Sequence, residues 1–198
     1  MKLQIHPHNP TWQTQFNEIK TELQKILNNN SHKIEHIGST SVKDLAAKPI
    51  IDIMIGVNED QLLDTVVSPL VDNGYVYYEK YNAVMPTRRF FIKLKKDADP
   101  TLFKKIYGAN DDLPHAEMNG RRLAHIHVWN YHSKDWLRHI AFRDFLRTHE
   151  EERNAYQELK LHLSKLDWKD GNEYNDGKND FIKDLEVKAV DWFKNLSK

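Results

Sequence analysis

The segment from His36 to Val57, HIGSTSVKDLAAKPIIDIMIGV, places a turn rich in hydroxyl groups in front of an almost wholly apolar run. The run from Pro49 to Val57 is dominated by β-branched residues, which predicts a buried strand because such side chains pack well on a pleated surface. One carboxylate, Asp52, stands inside this run. Burying an ionised carboxylate without a partner is strongly unfavourable. Asp52 therefore indicates either a ligand site or a buried ion pair.

The turn before this strand, Gly38-Ser39-Thr40-Ser41, combines a glycine with three hydroxyl groups. Glycine lets the backbone turn or approach a ligand closely, and hydroxyl groups hydrogen-bond to backbone or phosphate. We expect Ser41 to cap a short helix, with Asp44 at its third position, that ends at Lys48-Pro49. The unpaired N–H groups at the start of such a helix would attract an anion. A phosphate-binding turn is therefore predicted at Gly38, Ser39 and Ser41, with a turn and helix cap that bind no ligand as the alternative.

Charge and composition limit the classes of partner. The chain of 198 residues has 29 Lys plus Arg and 29 Asp plus Glu, which gives no basic field for nucleic acid, so a charged ligand must be held by local groups. The absence of cysteine excludes a disulfide framework, a thiolate zinc site and a cysteine nucleophile. The length predicts a single domain over residues 1–198. Because the start lacks an apolar signal-peptide core and Asp52 interrupts the longest apolar run, we expect a cytoplasmic protein without a membrane span, of undetermined oligomeric state.

Apolar residues at helical spacing predict the helical regions of the chain. We expect these regions to begin, in order, at Asn9-Pro10, Asn58, Ser133 and Asp180. The first three are expected to end at Asn28 to Ser31, at Gly74 and at Leu166. Pro69 should kink or restart the second helix. The glycines, asparagines and aspartates from Asp167 to Gly177 predict a loop.

Alternation of apolar and polar residues predicts three further strands, at Tyr75 to Tyr78, Arg89 to Lys95 and Leu123 to Trp129. Helices packed on a small mixed sheet follow from this order of elements, so the predicted fold class is α+β.

The strand Leu123 to Trp129 carries a pair of histidines on one face. His125 and His127 are two residues apart, so both imidazoles point the same way and lie about 7 Å apart at Cα. They can chelate one divalent metal ion, with Asp52 as a third ligand from the same sheet, or they can hydrogen-bond to phosphate or backbone. Two nitrogens and one oxygen suit Zn²⁺, Mn²⁺, Ni²⁺ or Fe²⁺ better than Mg²⁺, and the sequence does not select among the metals.

Several cations are candidates for binding the ligand or for pairing with Asp52. Lys48 lies close before Asp52 in sequence, and Arg88 and Arg89 begin a strand on which only one of them reaches the site because neighbours face opposite ways. Any of these three is a candidate partner in a buried ion pair. Lys178 is a further candidate ligand-binding cation, with simple exposure as the alternative. Arg143 and Arg147 are four residues apart on a helix that also carries Asp144, for which we favour surface or interface ion pairs.

Two resemblances bear on the function. Gly38-Ser39 followed by a strand with Asp52 resembles the active-site entry of the nucleotidyltransferase superfamily, in which a glycine-serine pair holds nucleotide phosphate and strand carboxylates hold divalent metal. In that superfamily a second acid follows two residues after the first, where this chain has Met54. A second resemblance covers nearly the whole chain and rests on separated motifs in the same order: HIGSTSV, LAAKPIIDI, Arg88-Arg89-Phe90-Phe91, His125-Ile126-His127-Val128, Phe142 to Arg147, and Tyr174, Lys178 and Phe181.

Together these motifs resemble the GrpB family. These small bacterial proteins are assigned to the nucleotidyltransferase fold and also occur fused behind dephospho-CoA kinase. The resemblance implies a nucleotidyltransferase-like α+β domain. The chain has Lys43-Asp44 where the family usually has proline-glycine, which changes the turn into the expected helix.

We therefore predict a protein that binds a phosphorylated small molecule, with a nucleotide as the favoured class. The predicted contacts are Gly38, Ser39, Ser41, Lys48, Arg88, Arg89 and Lys178. Asp52, His125 and His127 would hold a divalent metal (Mg²⁺, Mn²⁺ or Zn²⁺), and Asp52 is the catalytic candidate if the chain catalyses nucleotidyl or phosphoryl transfer. The alternative, which Met54 in place of a second acid permits, is a non-catalytic nucleotide- or metal-binding accessory module.

Overall fold

A computed structural model of the chain describes residues 4–28, 32–168 and 171–196, with the backbone alone at 171 and 172. The elements, in chain order, are α1 (Thr11–Leu27), β1 (Lys33–Ile37), β2 (Ile51–Val57), α2 (Val67–Asp72), β3 (Val76–Tyr77), β4 (Arg89–Leu94), β5 (Arg122–Asn130), α3 (Lys134–Thr148), α4 (Glu150–Ser164), α5 (Gly171–Asp176) and α6 (Asn179–Asn195). Short 3₁₀ segments lie at Ser39–Ser41, Asp60–Val66, Glu79–Ala83 and Pro100–Leu102. None of the helices among these residues has the length and apolar character needed to cross a membrane.

The strands form one mixed sheet in the order β1-β2-β5-β4-β3. β2 and β5 are parallel, and the other neighbouring pairs are antiparallel. The predicted α+β class, with helices on a small mixed sheet, is confirmed. The predicted strands at Arg89 to Lys95 and Leu123 to Trp129 correspond to β4 and β5.

The two faces of the sheet have different characters. One face carries Ile53 of β2, Phe91 of β4 and Ile126 of β5, and its side chains form an apolar core with residues of α1 and α2 such as Trp12 and Leu70. Because alternate residues of a strand face opposite ways, the other face carries the side chains between them, Asp52 and the two histidines included. The apolar face supplies the rigid support for the polar one.

Several predicted helix boundaries are confirmed by hydrogen bonds. Asn9 Oδ1 accepts from the backbone N–H of Thr11 at 2.9 Å at the start of α1, and Ser133 Oγ accepts from Trp136 N–H at 3.1 Å at the start of α3. Gly74 adopts φ +84° just after α2, as a helix stop requires.

The expected cap at Asn58 is wrong, because its side-chain oxygen accepts a hydrogen bond from the Tyr131 hydroxyl at 2.8 Å instead. The segment after it begins as the 3₁₀ turn Asp60–Val66, and α2 follows, with Pro69 in its first turn, where no N–H is needed.

The loop expected from Asp167 to Gly177 is also wrong in part, since α5 occupies Gly171–Asp176. Tyr174 is 1% exposed, and its packing offsets the poor helix propensity of the glycine and asparagines around it. Residues 29–31, at the predicted end of the first helix, and residues 169–170 of this loop lie outside the described residues.

We expect Gly56→Ala to lower the free energy of unfolding by about 1–3 kcal/mol, as overpacking does. An added Cβ at this point of β2 would lie 2.8 Å from the Trp136 ring and 2.8 Å from the Tyr131 Cβ. Urea denaturation measures the effect. Gly108→Ala is the control, because its nearest contact would be Glu79 at 3.4 Å. Equal stability of the two variants would contradict the close packing at Gly56.

Candidate functional site

The parallel pairing of β2 with β5 creates the centre of the site. In this register Asp52 lies beside His125 and Met54 beside His127. His125 Nδ1 lies 3.1 Å from Asp52 Oδ1, and His127 Nε2 lies 4.0 Å from the same oxygen. One ligand atom from each of the three side chains lies within 4.8 Å of the others. Asp52, His125 and His127, named the triad below, are thus brought together, and they remain 16–31% exposed.

The protonation of the triad follows from its surroundings. Burial acts to raise the pKa of the Asp52 carboxyl, but the hydrogen bond with His125, together with nearby positive charge such as that of Lys178, outweighs it and leaves that pKa below its usual value. Burial, with the nearby positive charge of Arg88, holds the pKa of His127 well below the ordinary histidine value. An ionised carboxylate therefore faces a neutral imidazole at neutral pH, which is the state of both groups that binds metal. The alternative ion pair of Asp52 with Lys48, Arg88 or Arg89 does not form: among the described residues, its ion-pair contacts within 4.0 Å are the two histidines.

Gly38 lets the turn approach the triad. It adopts φ +68°, in the region that favours glycine, and an added Cβ would overlap the Asp52 carboxylate and lie 3.0 Å from the Asp52 Cβ. The short helix expected after Ser41 is wrong. A 3₁₀ turn at Ser39–Ser41 takes its place, and the Ser41 hydroxyl donates to Gly38 O at 2.7 Å rather than capping a helix. Asp44, where the GrpB family usually has glycine, adopts a left-handed φ of +64°.

Two arginines of α3 hold this turn. Arg147 donates to the backbone carbonyl of Ser41 through Nε at 3.1 Å and Nη2 at 2.9 Å. Arg143 donates to the carbonyl of His36 at 3.2 Å and to the Glu35 carboxylate at 2.7 Å. Surface or interface ion pairs were expected for Arg143; its side chain is only 10% exposed, so its pairing is largely buried rather than on the open surface. The conformation of the turn therefore depends on a helix more than a hundred residues away in sequence.

Lys160 of α4 is a site residue that the sequence interpretation missed. It is 2% exposed, and its ammonium donates to Ser39 Oγ at 3.1 Å and to the carbonyl of Ala46. Burial, with the charge of Lys178, lowers the pKa of Lys160 to about 7. A signal was present, because Lys160 lies four residues after Tyr156 and three before Leu163, on the buried stripe of the helix.

Two further lysines lie beside one aromatic ring. Lys48 Nζ is 4.2 Å and Lys178 Nζ is 4.9 Å from the centroid of the Tyr174 ring. Burial, with the charge of Lys178, lowers the pKa of Lys48 to about 8, and burial also lowers the pKa of Lys178; the charge of Asp52 opposes both shifts. Among the described residues, none of Lys48, Lys160 and Lys178 has a carboxylate within 4.0 Å. These three residues form what we call the lysine cluster.

Arg88, just before β4, and Arg89, its first residue, point to different places, as alternation predicted. Arg89 donates to both oxygens of Asp64, at 2.5 and 3.1 Å, and so lies away from the triad. Its expected contact with the ligand is therefore corrected, because Asp64 already occupies its guanidinium. Arg88 lies over aromatic rings next to His127, with its guanidinium carbon 5.3 Å from the Phe90 centroid and 5.9 Å from that of Trp129.

A five-stranded mixed sheet with a glycine-serine turn beside an aspartate of a central strand is consistent with the nucleotidyltransferase-like fold. The family model described as "GrpB protein" matches residues 2–188. The chain therefore belongs to the GrpB family, which confirms the resemblance found in the sequence.

Known relatives agree with this assignment. The crystal structure of conserved protein GrpB from Enterococcus faecalis superposes with a TM-score of 0.74 at 30% identity, covering 96% of this chain and 99% of that one. UPF0157 protein YqkA of Bacillus subtilis (strain 168) is 31% identical over 98% of this chain and 49% of its own length, so this chain spans about half of that relative. A protein named dephospho-CoA kinase from Mycobacterium leprae is 28% identical over 92% of this chain and 45% of its own length.

Lys160 should make stability depend on pH. Because its folded-state pKa of about 7 lies below the ordinary value of 10.5, the unfolded chain holds the extra proton between these two pH values. From pH 7 to 9.5 the unfolding free energy of the wild type should therefore rise relative to that of Lys160→Met by roughly 2–4 kcal/mol. Urea denaturation at both pH values measures the difference. The exposed Lys165→Met, at the residue just after α4, is the matched control, and parallel pH dependence of wild type and Lys160→Met would refute the assignment.

Proposed function

We propose that this protein binds a phosphorylated small molecule, with a nucleotide as the favoured class, together with a divalent metal ion at the triad. The observation that carries the proposal is the convergence of the triad with cations that lack carboxylate partners among the described residues. A single carboxylate, Asp52, acts electrostatically on Lys48 and Lys178. This excess of buried positive charge is unfavourable by itself, and an anionic ligand would balance it.

The donor atoms of the triad fit a metal ion. Ligand atoms about 2.1 Å from one ion are separated by roughly 3 to 4 Å, which is close to the 3.1 and 4.0 Å measured from Asp52 Oδ1. Two imidazoles and one carboxylate leave coordination positions open for ligand oxygens and favour a transition metal such as Mn²⁺ or Zn²⁺ over Mg²⁺.

Met54 stands where the nucleotidyltransferase superfamily has its second acid, and it is fully buried. His127 is its neighbour on β5 and supplies a donor on the same face. We infer that β5 replaces the missing acid with imidazole nitrogen.

The phosphate groups of the ligand are assigned to the turn and the lysine cluster. Gly38 brings the backbone against Asp52, and Ser39 is half-buried and joined to Lys160. Lys48 and Lys178 are also half-buried. A ligand can therefore reach their ammonium groups, and because these groups are already partly desolvated, little further desolvation is needed on binding. Ser41 supports the turn, since its hydroxyl already donates to Gly38 O.

If the protein is an enzyme, the reaction we propose is nucleotidyl or phosphoryl transfer, with Asp52 as the catalytic carboxylate. A metal bound at the triad would neutralise phosphate charge. Lys48 and Lys178 would orient the phosphates and stabilise the charge that develops on them. The relatives named dephospho-CoA kinase support a nucleotide-related ligand. A cytoplasmic location is part of this proposal.

Isothermal titration calorimetry with Mn²⁺ and with Zn²⁺ tests the metal site. We expect about one ion per chain for the wild type and no measurable site for the double variant His125→Ala/His127→Ala, because one carboxylate cannot hold a transition metal alone. His162→Ala, at an exposed histidine of α4, is the control and should bind like the wild type. Unchanged stoichiometry in the double variant would disprove the site.

Ligand binding is tested with ATP in the presence of Mn²⁺. We expect Ser39→Ala, Lys48→Met and Asp52→Asn each to weaken binding about tenfold to a hundredfold, since a hydrogen bond to charge contributes about 1.5–3 kcal/mol. Lys165→Met is the control and should leave the affinity unchanged. Equal affinity in all variants would exclude the turn and lysines as the phosphate site, and a sharp loss of melting temperature in Asp52→Asn without weaker binding would indicate a structural role. Release of pyrophosphate or phosphate indicates an enzyme, whereas binding without release indicates an accessory module.

A further inference from the structure

Arg88 contacts a different set of aromatic rings from the lysine cluster, in which Lys48 and Lys178 lie over the Tyr174 ring. Its charge acts on His127, whereas Lys48 and Lys178 are in electrostatic contact with Asp52. Its guanidinium carbon lies 5.7 Å from the ring centroid of Tyr81, in addition to the contacts with Phe90 and Trp129 already described. Three aromatic rings thus pack around the Arg88 guanidinium.

The Arg88 guanidinium lacks polar partners that a group in such apolar surroundings normally has. Arg88 Nε is buried and has no hydrogen-bond partner, and no carboxylate lies within 4.0 Å of the side chain among the residues described. Burial lowers the pKa of Arg88, although Tyr81 and the carboxylate of Asp135 oppose that shift. The adjacent Arg89 shows the contrast, because it donates to both oxygens of Asp64.

Two of the three rings around Arg88, those of Phe90 and Trp129, also border the triad. The His127 ring stacks on Trp129 with a centroid separation of 5.4 Å and lies 5.0 Å from the Phe90 centroid. A group bound to Arg88 would therefore lie beside His127. A guanidinium held on aromatic rings is preorganised, and its parallel N–H groups match a carboxylate or phosphate in a bidentate arrangement.

We propose that Arg88 forms a second anion subsite, separate from the lysine cluster, which binds the carboxylate or phosphate of a second reactant. The role of this subsite in a reaction rests on the proposed function, because the second reactant needs a nucleotide bound at the triad to react with. The binding of an oxyanion does not depend on that function. A single molecule with an anionic group at each end could fill both the lysine cluster and the Arg88 subsite. The experiment must therefore distinguish one ligand from two.

The test follows the Nε–Hε signals of arginine by ¹H–¹⁵N NMR, with inorganic phosphate and with acetate as probes on metal-free protein. The Arg88 signal is identified by its absence in Arg88→Lys. We expect at least one probe to shift this signal saturably in the wild type, with the signal of the exposed Arg121 unchanged. Probe affinity, measured by calorimetry, should fall at least fivefold in Arg88→Lys, because an ammonium cannot bind in a bidentate manner. Arg121→Lys is the matched control and should retain the affinity.

An Arg88 signal that moves with neither probe would overturn the subsite and leave Arg88 as a packing residue of the aromatic cluster. The subsite would also be refuted if Arg88→Lys kept the wild-type affinity while folding with an unchanged melting temperature. Adding ATP with Mn²⁺ distinguishes a second reactant from a single molecule that fills both the lysine cluster and the Arg88 subsite. A probe that still shifts the Arg88 signal supports a second reactant. Displacement of the probe by ATP shows that one molecule fills both and refutes a separate subsite. Failure of metal binding at the triad would count against the proposed function alone, because the probe titration is performed without metal.

Discussion

The carboxylate of Asp52 on a central strand is the constraint to which the surrounding structure responds. Desolvation disfavours the ionised form, so the strand is tolerated only with donors and positive charge around it. His125 provides the nearest donor because β2 and β5 pair in parallel register. Gly38 provides the space, since any side chain at that position would overlap the carboxylate. The turn, the histidines and the carboxylate therefore form one unit rather than three separate motifs.

The cations of the site are unfavourable for folding, and we propose that they bind an anionic ligand. Lys48, Lys160 and Lys178 all have lowered pKa values, chiefly because burial disfavours the ammonium form. A core built for stability alone would place apolar side chains there. Instead, cations come from the loop before β2, from α4 and from the start of α6, so distant parts of the chain contribute to one site. Such convergence of unpaired charge is typical of sites whose ligand completes the charge balance.

The turn at Ser39–Ser41 shows why local chemistry was insufficient to predict the site. Serine before a run with an aspartate three residues later is a common helix start, and the helix expected there did not form. Arg143 and Arg147 of α3 bind the backbone of the turn and of the strand before it, and Lys160 of α4 binds Ser39. These contacts cross more than a hundred residues of sequence. They override the local preference because a buried carbonyl or hydroxyl that lacks a partner is unfavourable.

The sequence by itself determined the elements whose signal is local. Period-two alternation placed His125 and His127 on one face of β5, apolar spacing predicted α1 and α3 with their caps, and a lone carboxylate in an apolar strand marked Asp52 as a candidate site residue. Only the tertiary structure decided the pairing of β2 with β5, the bond from Lys160 to Ser39 and the diversion of Arg89 to Asp64. The physical reason is that periodicity specifies which way a side chain faces along its own element. What it meets there depends on strand register and helix packing between segments far apart in the chain.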